Sequence, residues 1–165
     1  MTTTIDAQAP TIPTIPASHE SVPAARGIWR GNVHTDLTSR HFEYATGEPE
    51  AIGGTDLAPS PMDLFVGGTA GCLAVVVEVV AGELGIAFES LEIDVDGHLG
   101  TRGFLGTADV PPNIQVLDVT VRLTTSATEA QVEELKDASS RRCPALGLFR
   151  AANLTINEDW FVTAA

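Results

Sequence analysis

A chain of 165 residues is long enough for one domain with a substantial core. Its 22 acidic and 9 basic residues leave a net charge of −13, which argues against nucleic acid or an anionic membrane surface as a partner. The first residues hold no basic stretch followed by an apolar one, so the expected location is the cytoplasm.

Residues 1–25 are rich in Thr, Ala and Pro, with a doubled Thr-Ile-Pro at 11–16, and read as a flexible tail before a single domain at 26–165. Ile28–Val33 and Ser39–Tyr44 read as short strands. On the second, Arg40, Phe42 and Tyr44 share one face while His41 and Glu43 share the other. Gly-Glu-Pro-Glu and Gly53-Gly54-Thr55-Asp56 are turn material.

A helix follows. Ser60 can cap it, Pro61 suits its first position, and Asp63 stands three residues after the cap. Beyond Asp63 the segment is apolar nearly all round until Glu78, which predicts a buried helix. The apolar run Leu64–Val77 is too short to span a bilayer. Gly67, Gly68 and Gly71 each cost roughly 1 kcal/mol in a helix interior, so packing or function must explain them. Helical side chains lean toward the N-terminus, which predicts the Cys72 sulfur over Gly68 and Thr69, with open space where Gly68 lacks a side chain. The same glycines would also let a second helix approach. Gly82 and Gly85 bracket the helix end.

Leu91, Ile93 and Val95 alternate with acidic residues as a half-buried strand. Residues 97–112 read as loop, and Ile114–Thr124 as a second strong strand. A capping box at Ser126 to Glu129 opens an amphipathic helix through Val132, Leu135 and Ala138. Pro144 stops it near Arg142-Cys143, and Leu154–Ile156 closes the fold as a strand. The sum is an α+β chain, an antiparallel sheet against two helices. Cys72 and Cys143 have neither the spacing of a redox pair nor that of a zinc site, and four scattered His add no ligand cluster, so no metal or cofactor is expected. In a reducing compartment they are two structural free cysteines or a reactive pair.

The order of these pieces resembles the OsmC/Ohr family. The landmarks are Gly53-Gly54-Thr55-Asp56 running through Ala58-Pro59-Ser60-Pro61, the helix with Gly71-Cys72, and a distant Cys143-Pro144 after a charged helix. Arg40-His41 ahead of Glu48-Pro49 is similar to one OsmC-like subgroup. The resemblance covers roughly residues 27–158. It implies an intertwined homodimer with antiparallel sheets around a long buried central helix and two thiol sites at the subunit interface. It also implies a peroxidase acting on organic hydroperoxides, with Cys72 peroxidatic, Cys143 resolving and an external dithiol as reductant. A guanidinium would hold the thiolate and the peroxide, and Arg40, with Arg30 second, occupies the corresponding region. The peroxidase branches place a Glu directly after the helix-opening proline, to orient that arginine. Here the position is Met62, and the nearest acid is Asp63. Met62, Asp63, Gly68 and Thr69 are the expected pocket residues. The alternative reading is an OsmC-like protein that binds a small apolar or thiol-containing ligand at the dimer interface.

Overall fold

The computed structural model describes residues 16–165, so the doubled Thr-Ile-Pro and most of the expected tail lie outside the described residues. Residues 18–25 are exposed and are tied down where the Ser39 hydroxyl donates to the Ala24 carbonyl at 2.9 Å.

Three strands then form an antiparallel sheet in spatial order, β1 (Arg26–Gly31), β2 (His34–Ser39) and β3 (Phe42–Thr46). Two strands were expected here. A two-residue turn at Asn32 and Val33, with φ of 48° and 51°, ends β1 at Gly31. The Arg40-His41 turn, with Arg40 at φ 55°, divides the second expected strand. The polar run His34-Thr35-Asp36 has no alternation of character, so pattern alone does not expose β2. Arg40 leaves the sheet face it was expected to share with Phe42 and Tyr44. Its guanidinium instead lies 5.0 Å from the centre of the Phe42 ring.

α1 (Pro61–Leu84) opens as expected. The Ser60 hydroxyl accepts from the Asp63 amide at 3.1 Å, and the Asp63 carboxylate accepts from the Ser60 amide at 2.8 Å. Gly85 closes it at φ 68°, a left-handed cap that glycine takes without strain. β4 (Phe88–Leu99), the single turn α2 (Thr101–Phe104), β5 (Ile114–Thr125), α3 (Glu129–Arg142), α4 (Pro144–Ala151) and β6 (Thr155–Thr163) complete the chain. The second sheet runs β4-β5-β6; β4 pairs antiparallel with β5, and β6 pairs parallel with it. An all-antiparallel sheet against two helices is therefore corrected. α3 and α4 return the chain to the end of the sheet where β5 began, and that return makes β6 parallel. The cap of α3 is Thr128 with Gln131, two residues beyond the predicted box, because β5 runs on to Thr125, whose hydroxyl accepts from the Ala127 amide at 3.1 Å before the helix begins.

The core lies between the second sheet and the helices. Leu73, Val77, Val80 and Ala81 of α1 meet Leu117, Val119, Val121 and Leu123 of β5, with Leu135, Leu146 and Phe149 from α3 and α4. α1 is not buried all round. Phe65, Val75 and Val79 on its other side are about half exposed, and a Cβ placed on Gly67, Gly68, Gly71 or Gly82 would meet nothing within 4 Å. With 24 residues, α1 is also long and apolar enough to cross a membrane by length and composition, which the shorter run Leu64–Val77 concealed. Both facts arise because its apolar residues serve two faces, of which this chain covers one. Leu73→Ala, at a fully buried site, should cost about 2–5 kcal/mol in denaturant unfolding.

Candidate functional site

The two cysteines meet where three helices converge. Leu73 and Val77 point α1 into the core, which leaves Cys72 at the margin of that face and half-buried. Pro144 bars Cys143 from helical geometry. Cys143 accordingly takes φ −70° and ψ 114°, ends α3, and begins α4. Its side chain is 1% exposed, and its sulfur lies 3.7 Å from that of Cys72, donating a thiol hydrogen bond to it. Burial pushes the Cys143 thiol above its ordinary 9.0, against the pull of the Leu146 amide at the start of α4; the neighbouring Cys72 adds to the rise. Cys143 thus stays protonated at neutral pH, beside a more accessible sulfur. A disulfide would require the two sulfurs to close by roughly 1.7 Å.

Arg142, the residue before Cys143, forks onto Glu83 in the last turn of α1, with Nη2 donating to Oε1 at 2.9 Å and Nη1 to Oε2. This pair ties the ends of α1 and α3 together next to the thiols. The Arg142 guanidinium holds the Glu83 carboxyl below its ordinary 4.5.

The other expected residues are dispersed. Met62 and Phe65 line a largely apolar cavity of about 330 Å³ with Ile114, Leu148, Phe149 and Leu154. Phe65 meets Phe149 edge-on with ring centres 5.5 Å apart. Gly68 lines an open groove between α1 and the first sheet, opposite Leu37 and Tyr44. A Cβ built on Gly68 would meet nothing within 4 Å, so the space left by its missing side chain is open. Asp63 is committed to the helix cap. Thr69 is 2% exposed, and its hydroxyl donates to the Phe65 carbonyl at 3.0 Å. Arg30 Nε donates to Asp36 Oδ2 at 2.6 Å, and His34 lies 3.2 Å from the other oxygen. The Arg30 bond holds the Asp36 carboxyl below its ordinary value, with His34 adding to it. Among the described residues no arginine hydrogen-bonds either sulfur.

Sequence reading missed α4, Asp36 and the Glu83–Arg142 pair. An eight-residue helix after a proline is too short to declare itself by period, although Leu146 and Phe149 at i and i+3 carried its signal. The ion pair joins residues far apart in sequence, and no local pattern marks it.

The OsmC-like protein family matches residues 54–159, and the chain belongs to that family. No curated protein matches the chain. Among solved structures, it is similar to the OsmC-like protein of Mycoplasma pneumoniae, with TM-score 0.77 and 18% identity, over 87% of this chain and 99% of that one. It is also similar to the organic hydroperoxide resistance protein OsmC of Legionella pneumophila, at TM-score 0.61 and 18% identity, covering 87% and 97%. The organic hydroperoxide resistance protein OhrB of Bacillus subtilis matches at TM-score 0.57 and 21% identity, covering 86% and 98%. At these identities the likeness carries the α+β fold with its central helix.

Two outcomes are expected. A carboxyl held low in the folded state contributes stability above its unfolded value and loses it as pH falls through the folded one. Glu83→Gln should therefore lower the melting temperature at neutral pH, and the gap to wild type should close below the ordinary 4.5 of that carboxyl. Iodoacetamide at about pH 7.5 should label Cys143 in Cys72→Ser roughly ten-fold more slowly than Cys72 in Cys143→Ser. Mass spectrometry reads the difference, which should shrink as pH rises beyond 9.0 far enough to ionise the buried Cys143 thiol.

Proposed function

We propose that this protein is a thiol peroxidase that reduces organic hydroperoxides. The observation that carries the reading is the 3.7 Å contact between a half-buried Cys72 and a buried, protonated Cys143. The names of the Legionella and Bacillus proteins support it at the level of the family. In the proposed reaction the Cys72 thiolate attacks the terminal oxygen of R–O–O–H. The O–O bond breaks, the alkoxide takes a proton and leaves as an alcohol, and Cys72 becomes a sulfenic acid. Cys143 gives up its proton, attacks the Cys72 sulfur and displaces water, leaving a Cys72–Cys143 disulfide. An external dithiol reduces that bond and returns both thiols.

The apolar cavity beside Met62 and Phe65 suits an alkyl or aryl group on the peroxide. For the cation, Asp36 favours Arg30 over Arg40. It supplies the acid that Met62 does not, and it fixes the Arg30 guanidinium, whereas Arg40 is occupied by Phe42. The uncovered face of α1 and the exposed Trp29, Phe42 and Tyr44 of the first sheet suit a homodimer in which a second copy covers that face and brings the arginine to the thiol. Met62 and the same apolar cavity also favour a second reading, a non-peroxidase that binds a small apolar or thiol-containing ligand.

Incubation with one equivalent of cumene hydroperoxide, followed by thiol titration, separates the two. Wild type should lose both thiols, and Cys72→Ser should keep its remaining one. Arg30→Ala should slow the loss by roughly a hundred-fold, the scale of a removed electrostatic partner. Survival of the wild-type thiols, or equal loss in Cys72→Ser, would overturn the peroxidase in favour of the ligand-binding reading.

A further inference from the structure

A second cavity lies on the far side of Met62 from the aromatic pair. It measures about 590 Å³ and lies between the entry of α1, the turn at 48–52, the end of β4 and α2. Ile52, Met62 and Phe104 give it an apolar body, and Glu48, His98 and Thr101 give it polar groups. Size and lining are those of a small-molecule site.

Its walls are fixed by backbone contact. A Cβ on Gly54 would sit 1.7 Å from the Glu48 carbonyl oxygen, so only glycine lets the 47–56 loop fold back on itself. The Asp56 amide donates to that same carbonyl at 3.1 Å, and the Gly54 amide to the Pro49 carbonyl at 3.1 Å. On the opposite wall, a Cβ on Gly103 would sit 2.3 Å from the Val110 carbonyl oxygen. Two separate loops are thus packed backbone to backbone around one space, which leaves it preformed.

His98 Nε2 lies 2.8 Å from Asp118 Oδ2, and the amide of Asn157 donates to Asp118 Oδ1 at 2.6 Å. The chain of bonds crosses all three strands of the second sheet, from β6 through β5 to β4. Asp118 engages Nε2, which leaves Nδ1 of His98 without a hydrogen-bond partner among the described residues. Glu48 is half-buried, and among the described residues its carboxylate has no hydrogen-bond or ion-pair partner. A carboxylate without a partner is free to pair with the cation of a ligand. Among the described residues no Lys or Arg lines the cavity, and the chain carries a net charge of −13. An anionic ligand is therefore disfavoured on charge alone.

The geometry points to a binding site for a small protonated amine with an apolar body, separate from the thiol pair. The ammonium pairs with Glu48 and donates to His98 Nδ1, and the apolar body lies on Ile52, Met62 and Phe104. The site does not depend on the peroxidase reading, since Cys72 and Cys143 do not line it.

Calorimetric titration with 2-phenylethylamine, 2-phenylethanol and 3-phenylpropionate at neutral pH tests the assignment, with the imidazole signals of His98 followed by NMR. The amine should bind roughly ten-fold more tightly than the alcohol, and the carboxylate more weakly still. Glu48→Gln should abolish the preference for amine over alcohol while leaving the alcohol affinity unchanged, which shows that the variant retains the cavity. Cys72→Ser should bind the amine as wild type does. Equal affinity for the amine and the carboxylate, a preference that survives Glu48→Gln, or no shift of the His98 signals at saturating amine would each overturn it.

Discussion

The contact between Cys72 and Cys143 depends on the break in the chain that Pro144 imposes. Were α3 to continue through position 144, residues 144–151 would follow its axis instead of turning onto α1. The break sends α4 back against the central helix, where Leu146 and Phe149 complete the core at 0% and 4% exposure. Cys143 sits at the corner, extended and buried, with its sulfur against α1. The Glu83–Arg142 pair tightens the same corner from the solvent side. Exposed ion pairs contribute little to stability on their own. Here the pair joins the ends of two helices one residue from the thiol, so its effect falls on the position of Cys143.

α1 divides the molecule in two. One face packs against the second sheet, α3 and α4, and the other carries Phe65, Val75, Val79 and four glycines into the open. The cost of glycines inside a helix has no return among the described residues, since nothing there comes within 4 Å of a Cβ built on any of the four. A surface of that kind suits a close helix–helix or helix–sheet contact with a second copy, as in the proposed homodimer. Cys72 lies on the boundary between the faces. It is buried enough to meet Cys143 and accessible enough to meet a small molecule.

Much of this was legible because short-range chemistry fixed it. The Ser60, Pro61 and Asp63 cap, the Gly85 terminus and the alternation of Leu91, Ile93 and Val95 each depend on residues within a few positions. The family resemblance rested on such local landmarks, and it gave the α+β fold with its central helix. What stayed hidden depends on partners far apart in sequence. β2 has a polar sequence because it is the middle strand of a sheet that, among the described residues, no core covers on either face. The parallel register of β6 follows from where α4 delivers the chain. The one-sided burial of α1 could not be read from an all-apolar sequence, because residues for a core and for an uncovered face look alike there.

The departure at Met62 bears on mechanism through Asp36. An arginine that activates a thiol needs an acid to hold it, and an acid on α1 would place that constraint beside the peroxide. In this chain the acid stands on β2, across from the strand that carries Arg30, and His34 holds its second oxygen. Arg30 is thus oriented by its own sheet, whatever α1 carries. In the proposed reaction position 62 then has no electrostatic role, and its methionine lines both cavities at the entry of α1. In that reading the acid stands on the sheet, and the cavity that Met62 shares with Phe65 and Leu148 is lined by no carboxylate among the described residues. The proposed chemistry then loses no counter-charge for its arginine, and the entry of α1 gains room for apolar substituents.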